Sequence, residues 1–259
     1  MLNAHKITYN LPDKELLFEN VSFSVQKHDK VALIGNNGVG KSTLLKILAG
    51  QLRPSGGIIE YEFKPYYAPQ HYGQFDDHTV AEALKVKDKL RAYNQILDGN
   101  VTKMNLEILN DDWSIQERCQ TAFSFWGIED LSLNRKMSRL SGGQKTKVFL
   151  AGIMIHQADI LLMDEPTNHL DHSSREMLYQ YIRNSKQTML VVSHDRKLLD
   201  LLSPVYEMER GGIKVYGGNY SFYKTQKEHE EQVLKNQLGD REKALKMARK
   251  AERASLERK

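Results

Sequence analysis

The stretch Gly35, Asn36, Asn37, Gly38, Val39, Gly40, Lys41 and Ser42 constrains this chain most. It matches G-x-x-x-x-G-K-[ST] and lies between an apolar run, Val31 to Ile34, and a helical pattern, Lys41 to Ala49. A strand that enters a glycine-rich turn and then a helix can wrap successive backbone N–H groups around one anion, with the helix N-terminus adding positive potential. Lys41 is then expected to reach the β- and γ-phosphates of a nucleotide, and Ser42, followed by Thr43, to bind Mg²⁺. Two further apolar runs, Ile160 to Met163 and Met189 to Val192, read as buried parallel strands of the same sheet. They end in Asp164-Glu165 and Ser193-His194, at the edge where open α/β sheets place their ligands.

The acidic pair divides its work by position. Asp164, at the strand end, is expected to hold Mg²⁺, and Glu165 to orient or deprotonate the attacking water. Taken alone, an Asp-Glu pair at a strand end is more often a helix cap, and a histidine such as His194 more often a satisfied polar residue. The glycine loop upstream and His194 downstream favour the chemical reading of the acidic pair. Gln70, in Ala68-Pro69-Gln70, has the weakest local signal.

A second glycine loop lies between these motifs. Ser141, Gly142, Gly143 and Gln144 precede a helical pattern running through Lys147 to Ile155, so their N–H groups and the Ser141 hydroxyl face an anion from outside. The order of glycine loop, Leu140-Ser141-Gly142-Gly143-Gln144 and acidic strand end resembles the ATP-binding cassette (ABC) family, over residues 1 to about 218. The resemblance implies an α/β fold, a P-loop NTPase of ABC type with an antiparallel β subdomain and a helical subdomain. It also implies ATP and Mg²⁺ as ligands, with Ser42, Gln70 and Asp164 toward the metal, His194 as the γ-phosphate switch and Glu165 as the catalytic carboxylate. Tyr9 falls where the family stacks an aromatic on adenine, although a strand-face tyrosine is an open alternative. In this family Ser141 to Gln144 caps the nucleotide of a facing module, so one chain is expected to need a second cassette to complete a site.

The remaining organisation follows from periodicity. Alternating residues such as Val21, Phe23 and Val25 predict antiparallel strands near the N-terminus. Helical patterns between about 71 and 138 predict a helical insertion within a nucleotide-binding domain spanning 1–220, with Ser114 and Glu117 as a capping box. Beyond it, 221–259 reads as a long charged helix. Of the net charge of +4, all is accounted for by Gly239 to Lys259, where eight Lys or Arg face four acids. No apolar run approaches the ~18 residues that span a bilayer, so no membrane insertion is expected. Cys119 is the only cysteine and no signal-peptide pattern opens the chain, both of which fit a reducing cytoplasm.

Three features are similar to the F subfamily of ABC proteins, which act on ribosomes: Asn168-His169-Leu170-Asp171, the passage Tyr216 to Tyr223, and the charged helix, which resembles an interdomain linker. That resemblance implies a translation or antibiotic-resistance role, with ribosomal RNA attracted by the basic helix in a salt-dependent way. It also implies that the sequence is a first cassette whose linker is cut short. An ATP-binding transporter subunit and a clamp driven by ATP binding alone are the competing readings.

Overall fold

The structure, a computed structural model, describes residues 1–256, and on the last helix the side chains of residues 234, 240 and 242–256 lie outside the description. Two sheets carry the fold. The first is antiparallel, in the order β2 (Leu16–Val25), β1 (Leu2–Asn10), β4 (Gly56–Tyr61). The second runs β5 (Tyr66–Ala68), β6 (Ile160–Asp164), β7 (Thr188–Val192), β3 (Lys30–Ile34), β8 (Val205–Glu209), β9 (Gly212–Tyr216). All neighbours in it are parallel except β9, which returns from β8 as a hairpin.

The central strands are apolar along their length because both faces are covered. On one face Ala32, Leu161, Met163, Met189 and Val191 join a core with α6 (Gly142–His156), α7 (His172–Asn184) and α8 (Arg196–Leu199). On the other, Val31, Leu33, Leu162, Leu190 and Val192 pack with α1 (Lys41–Leu48) and the antiparallel sheet. Between β5 and α6 lie α2 (Val80–Ala83), α3 (Lys87–Leu97), α4 (Lys103–Leu109) and α5 (Ile115–Phe125).

The capping box expected at Ser114 does not form. The Ser114 hydroxyl instead accepts from the Arg118 guanidinium, which also holds Asp112. Capping boxes occur at Thr79–Glu82, before α2, and at Ser141–Gln144, before α6.

The last helix, α9 (Tyr220–Leu256), packs by its first turns on the β8–β9 hairpin. Glu207 is the hub: it accepts from the Tyr216 hydroxyl at 3.1 Å, the Tyr223 hydroxyl at 2.9 Å and Lys227 Nζ at 2.8 Å. Further along, Lys214 pairs with Glu230 at 2.8 Å. The basic side chains Lys243, Lys246, Arg249, Lys250 and Arg253, together with Arg258 and Lys259, lie outside the described residues. Among the described residues no helix is long and apolar enough to cross a membrane.

Candidate functional site

The loop between β3 and α1 is built on glycine. Gly38 and Gly40 hold φ of 82° and 107°, in the left-handed region that favours glycine. A methyl group on Gly40 would lie 2.7 Å from Phe18 Cδ1, so the loop is seated directly on β2. Gly40 precedes α1 without a side-chain cap, which leaves the first N–H groups of the helix open to the cavity in front of them. Lys41 folds back to donate to the carbonyls of Gly35 at 2.8 Å and Asn36 at 3.0 Å, which fixes its ammonium over the loop. Burial lowers its pKa, and the charges of Glu165 and Asp164 oppose that effect.

The cavity has a volume of about 470 Å³. Asn37, Gly38, Gly40, Lys41, Ser42 and Thr43 line one side, and Gln70, Asp164, Glu165 and His194 close the other. The residues predicted from four separate stretches therefore meet. The ends of β6 and β7 produce this meeting, since the two strands are neighbours and Asp164 is in register with Val192.

Within the cavity the two acids differ. Asp164 is buried and its Oδ2 accepts from the Tyr67 hydroxyl at 3.3 Å, while its Oδ1 has no hydrogen-bond partner among the described residues. Burial raises its pKa, with the Ser42 and Tyr67 hydroxyls pulling the other way. An unpaired buried carboxylate oxygen beside a serine hydroxyl is an oxygen donor set suited to a hard divalent cation. Ser42, Gln70 and Asp164 thus fit Mg²⁺.

Glu165 sits at φ 51°, an uncommon backbone conformation for its type. Its N–H donates to the Val192 carbonyl at 2.8 Å, and its Oε2 accepts from the His194 N–H at 3.2 Å. His194 Nε2 stands 3.5 Å from Oε1, with the imidazole 69% exposed and the carboxylate 6%. Burial raises the Glu165 pKa, His194 lowers it and Asp164 raises it. A carboxylate so placed, beside an open histidine, has the burial and the neighbours that the general-base expectation calls for.

Four predicted positions, Gly35, Asn36, Val39 and Tyr9, lie elsewhere. Gly35 and Asn36 border a smaller cavity of about 200 Å³, with Glu207, Tyr220 and Tyr223, which shares His194 with the main one. Val39 packs into the core. Tyr9 is not among the lining side chains; its ring lies 6.2 Å from that of Phe18, nearly parallel, and the apolar wall beside the loop is Leu11 and Leu17.

Ser141, Gly142, Gly143 and Gln144 line a different cavity, of about 690 Å³, together with Arg135, Lys147 and His169. Gln144 N donates to the Ser141 hydroxyl at 3.2 Å, and Ser141 N donates to Gln144 Oε1 at 3.0 Å. The glycines are needed for contact: an added Cβ at Gly143 would stand 2.8 Å from the His169 carbonyl oxygen, and one at Gly142 3.0 Å from the His169 ring. No lining residue is shared between this cavity and the one around Lys41.

Sequence reasoning missed Tyr67, Leu11, Leu17 and Glu207. Tyr67 carried a usable signal, lying on the strand that leads into Gln70 and alternating in direction with Tyr66. The others gain meaning only from strand order and loop packing.

Residues 18–168 match the ABC transporter family model. The chain belongs to the ABC transporter family. The cassette is 33% identical over 215 residues to ABC transporter F family member 2 of Arabidopsis thaliana, covering 82% of this chain and 29% of that protein. It is 32% identical over 247 residues to the ATP-binding protein Uup of Haemophilus influenzae, covering 87% and 38%. With the uncharacterized ABC transporter ATP-binding protein YfmM of Bacillus subtilis it shares 31% identity over 269 residues, covering 92% and 51%. The cassette thus spans about half or less of the length of these curated relatives. Among solved structures, a dimeric ATP-binding cassette in a post-hydrolysis state with ADP and phosphate aligns with a TM-score of 0.66 at 20% identity, covering 84% of this chain and 98% of that one. A nucleotide-free cassette aligns at 0.63 and 22%, covering 87% and 94%. These likenesses establish the α/β cassette fold.

Proposed function

We propose that this cassette binds and hydrolyses ATP in a site enclosed only when a second cassette brings its signature loop over the first. The single observation that carries the reading is the separation of Ser141–Gln144 from Lys41 into cavities with no common lining residue. A phosphate held at Lys41 has no contact with this chain's own lid, whereas a second copy or a second domain supplies one. The dimeric architecture of the post-hydrolysis cassette with the same fold supports the arrangement.

The loop N–H groups, the α1 N-terminus and Lys41 hold the β- and γ-phosphates. Ser42, Gln70 and Asp164 would hold Mg²⁺, which when bound neutralises charge on the phosphate oxygens. A water opposite the β–γ bridge attacks the γ-phosphorus as Glu165 takes its proton. The bond from that phosphorus to the bridging oxygen breaks, leaving ADP and inorganic phosphate. His194, exposed and beside Glu165, reports the γ-phosphate.

The finer reading is an F-type factor acting on the ribosome. It is supported by the resemblance of Asn168–Asp171 and Tyr216–Tyr223 to that subfamily, by the relative named as an F family member, and by α9 leaving the cassette from the β8–β9 hairpin. The test uses the native full-length protein carrying Glu165→Gln. More of it should co-sediment with ribosomes in ATP than in ADP. Equal amounts in both would overturn the ribosomal reading, and co-purification with a membrane permease would replace it with a transporter role. For the half-site, the expected result with Glu165→Gln and ATP is a dimer in sedimentation velocity. A triphosphate fully enclosed in a monomer, touched by both Ser141 and Lys41, would sink the two-cassette scheme.

A further inference from the structure

Three loops with separate duties meet at one oxygen atom. Two residues beyond Gln70, the buried Tyr72 donates its hydroxyl to Thr146 Oγ1 at 2.9 Å. Its ring lies against Phe149 at 5.3 Å with a 10° interplanar angle, so the hydroxyl is held in place by stacking. Thr146 is one turn into α6 and 1% exposed. Its Oγ1 stands 3.1 Å from the carbonyl oxygens of both Gly142 and Asn168. A hydroxyl has one hydrogen to give, so the bond from Thr146 is shared or alternates between those two carbonyls while the Tyr72 hydrogen fills a lone pair. The Asn168 N–H in turn donates to the Glu165 carbonyl at 3.1 Å, and His169 seats beneath Gly142 and Gly143.

We propose that the Thr146 hydroxyl is a positioning group that ties the segment reading this chain's own nucleotide, through Gln70, to the loop that lids the nucleotide of the other cassette. The inference rests on the two-cassette reading. A phosphate arriving on Ser141–Gly143 from the second cassette shifts the start of α6. Thr146 passes that shift to Tyr72 and Gln70 on one side and to Asn168 and Glu165 on the other. The two sites of a closed pair then report on each other through one neutral, buried hydrogen-bond junction. A local bond from Thr146 to the carbonyl four residues earlier is common in helices and needs no such role. The Tyr72 and Asn168 contacts, at sequence separations of 74 and 22, are what a merely local bond lacks.

The test is ATP-driven dimerisation of the full chain carrying Glu165→Gln, followed by sedimentation velocity across an ATP titration, with ATP affinity measured on dilute monomer. Thr146→Val keeps the shape and removes the hydroxyl; Thr146→Ser keeps the hydroxyl. For Thr146→Val, monomer affinity should stay within about twofold, the dimerisation midpoint should rise roughly tenfold, and the Hill coefficient should fall toward 1. Thr146→Ser should restore the parent curve. Tyr72→Phe, which keeps the stack on Phe149, should reproduce the loss of cooperativity and guards against a misfolded valine variant. A Thr146→Val or Tyr72→Phe curve that overlays the parent overturns the inference, as does a serine variant as impaired as the valine. A parent chain that stays monomeric at saturating ATP overturns the two-cassette reading, and this inference with it.

Discussion

The backbone N–H of His194 donates to Glu165 Oε2 at 3.2 Å, and the imidazole of the same residue stands 3.5 Å from Oε1. The pair comes from the ends of two neighbouring strands, which sets the carboxylate and the imidazole side by side. Burial raises the Glu165 pKa and His194 restrains the rise. Water activation needs the ionised carboxylate. The acidic limb of the ATPase pH–rate profile should therefore sit above the ordinary glutamate value of 4.5 and move higher in His194→Ala. Glu165→Gln should lose turnover by about 10²–10⁴-fold with ATP binding retained. A limb that does not move in His194→Ala would show that the contact does not tune the base.

Gly40 and Gly38 separate two reasons for a glycine. A Cβ on Gly40 meets Phe18 Cδ1 at 2.7 Å and Leu17 Cδ2 at 3.1 Å, whereas one on Gly38 meets nothing within 4 Å. Both positions have positive φ, which costs a non-glycine residue about 1–3 kcal/mol. Gly38→Ala should lose only that strain, while Gly40→Ala should add displacement of the loop from β2. Thermal melting should show the larger fall for Gly40→Ala, and ATP titration should show a loss of at least about tenfold, equivalent to 1.4 kcal/mol. Equal melting temperatures would contradict the seating of the loop on Phe18.

Glu207 anchors the start of α9 through Tyr223 and Lys227. Its pKa is lowered: burial raises it, but Lys227, Tyr223 and Tyr216 outweigh burial. A carboxylate with a depressed folded pKa contributes stability that is present above its unfolded value of 4.5 and is lost as pH falls through the folded value. Glu207→Ala should cost about 2 kcal/mol at pH 7, in the range for hydrogen bonds to charged groups, and less at an acidic pH below the folded value. Urea midpoints at the two pH values measure this, and hydrogen exchange should quicken in the first turns of α9. A destabilisation independent of pH would assign the loss to packing.

How much of this was legible follows from where the information lies. The central strands could be read because strands buried on both faces are apolar throughout, and two of them run into residues that line the main cavity, as with Met163-Asp164 and Val192-Ser193-His194. The P-loop could be read because its backbone requirement selects glycine in a fixed pattern. Ser114 misled because a cap is a competition for one hydroxyl, and Arg118 took it from the next turn. Glu207 gave no signal in the chain, since its value depends on β8 lying beside β3 and on α9 folding back over the hairpin. The motif positions Gly35, Asn36 and Val39 do not line the main cavity: Gly35 and Asn36 border the smaller one, and Val39 packs against the core.

Tyr67 offers the most selective probe of the cation site. Its hydroxyl donates to Asp164 Oδ2 at 3.3 Å, while Oδ1 has no hydrogen-bond partner among the described residues. Tyr67→Phe keeps the buried ring in the core and frees the carboxylate to turn. Asp164 should then lose one of the hydroxyl contacts, with that of Ser42, that hold its pKa down against burial, and present Oδ1 less reliably to Mg²⁺. A net hydrogen bond of about 0.5–1.5 kcal/mol corresponds to a factor of about 2–10. The Mg²⁺ concentration needed for half-maximal turnover should rise by that factor, and Mn²⁺ binding followed by electron paramagnetic resonance should weaken in parallel, while ATP affinity without metal stays unchanged because Lys41 and the loop N–H groups are untouched. If the loss appears equally without metal, Tyr67 supports the loop as a whole and not the orientation of Asp164.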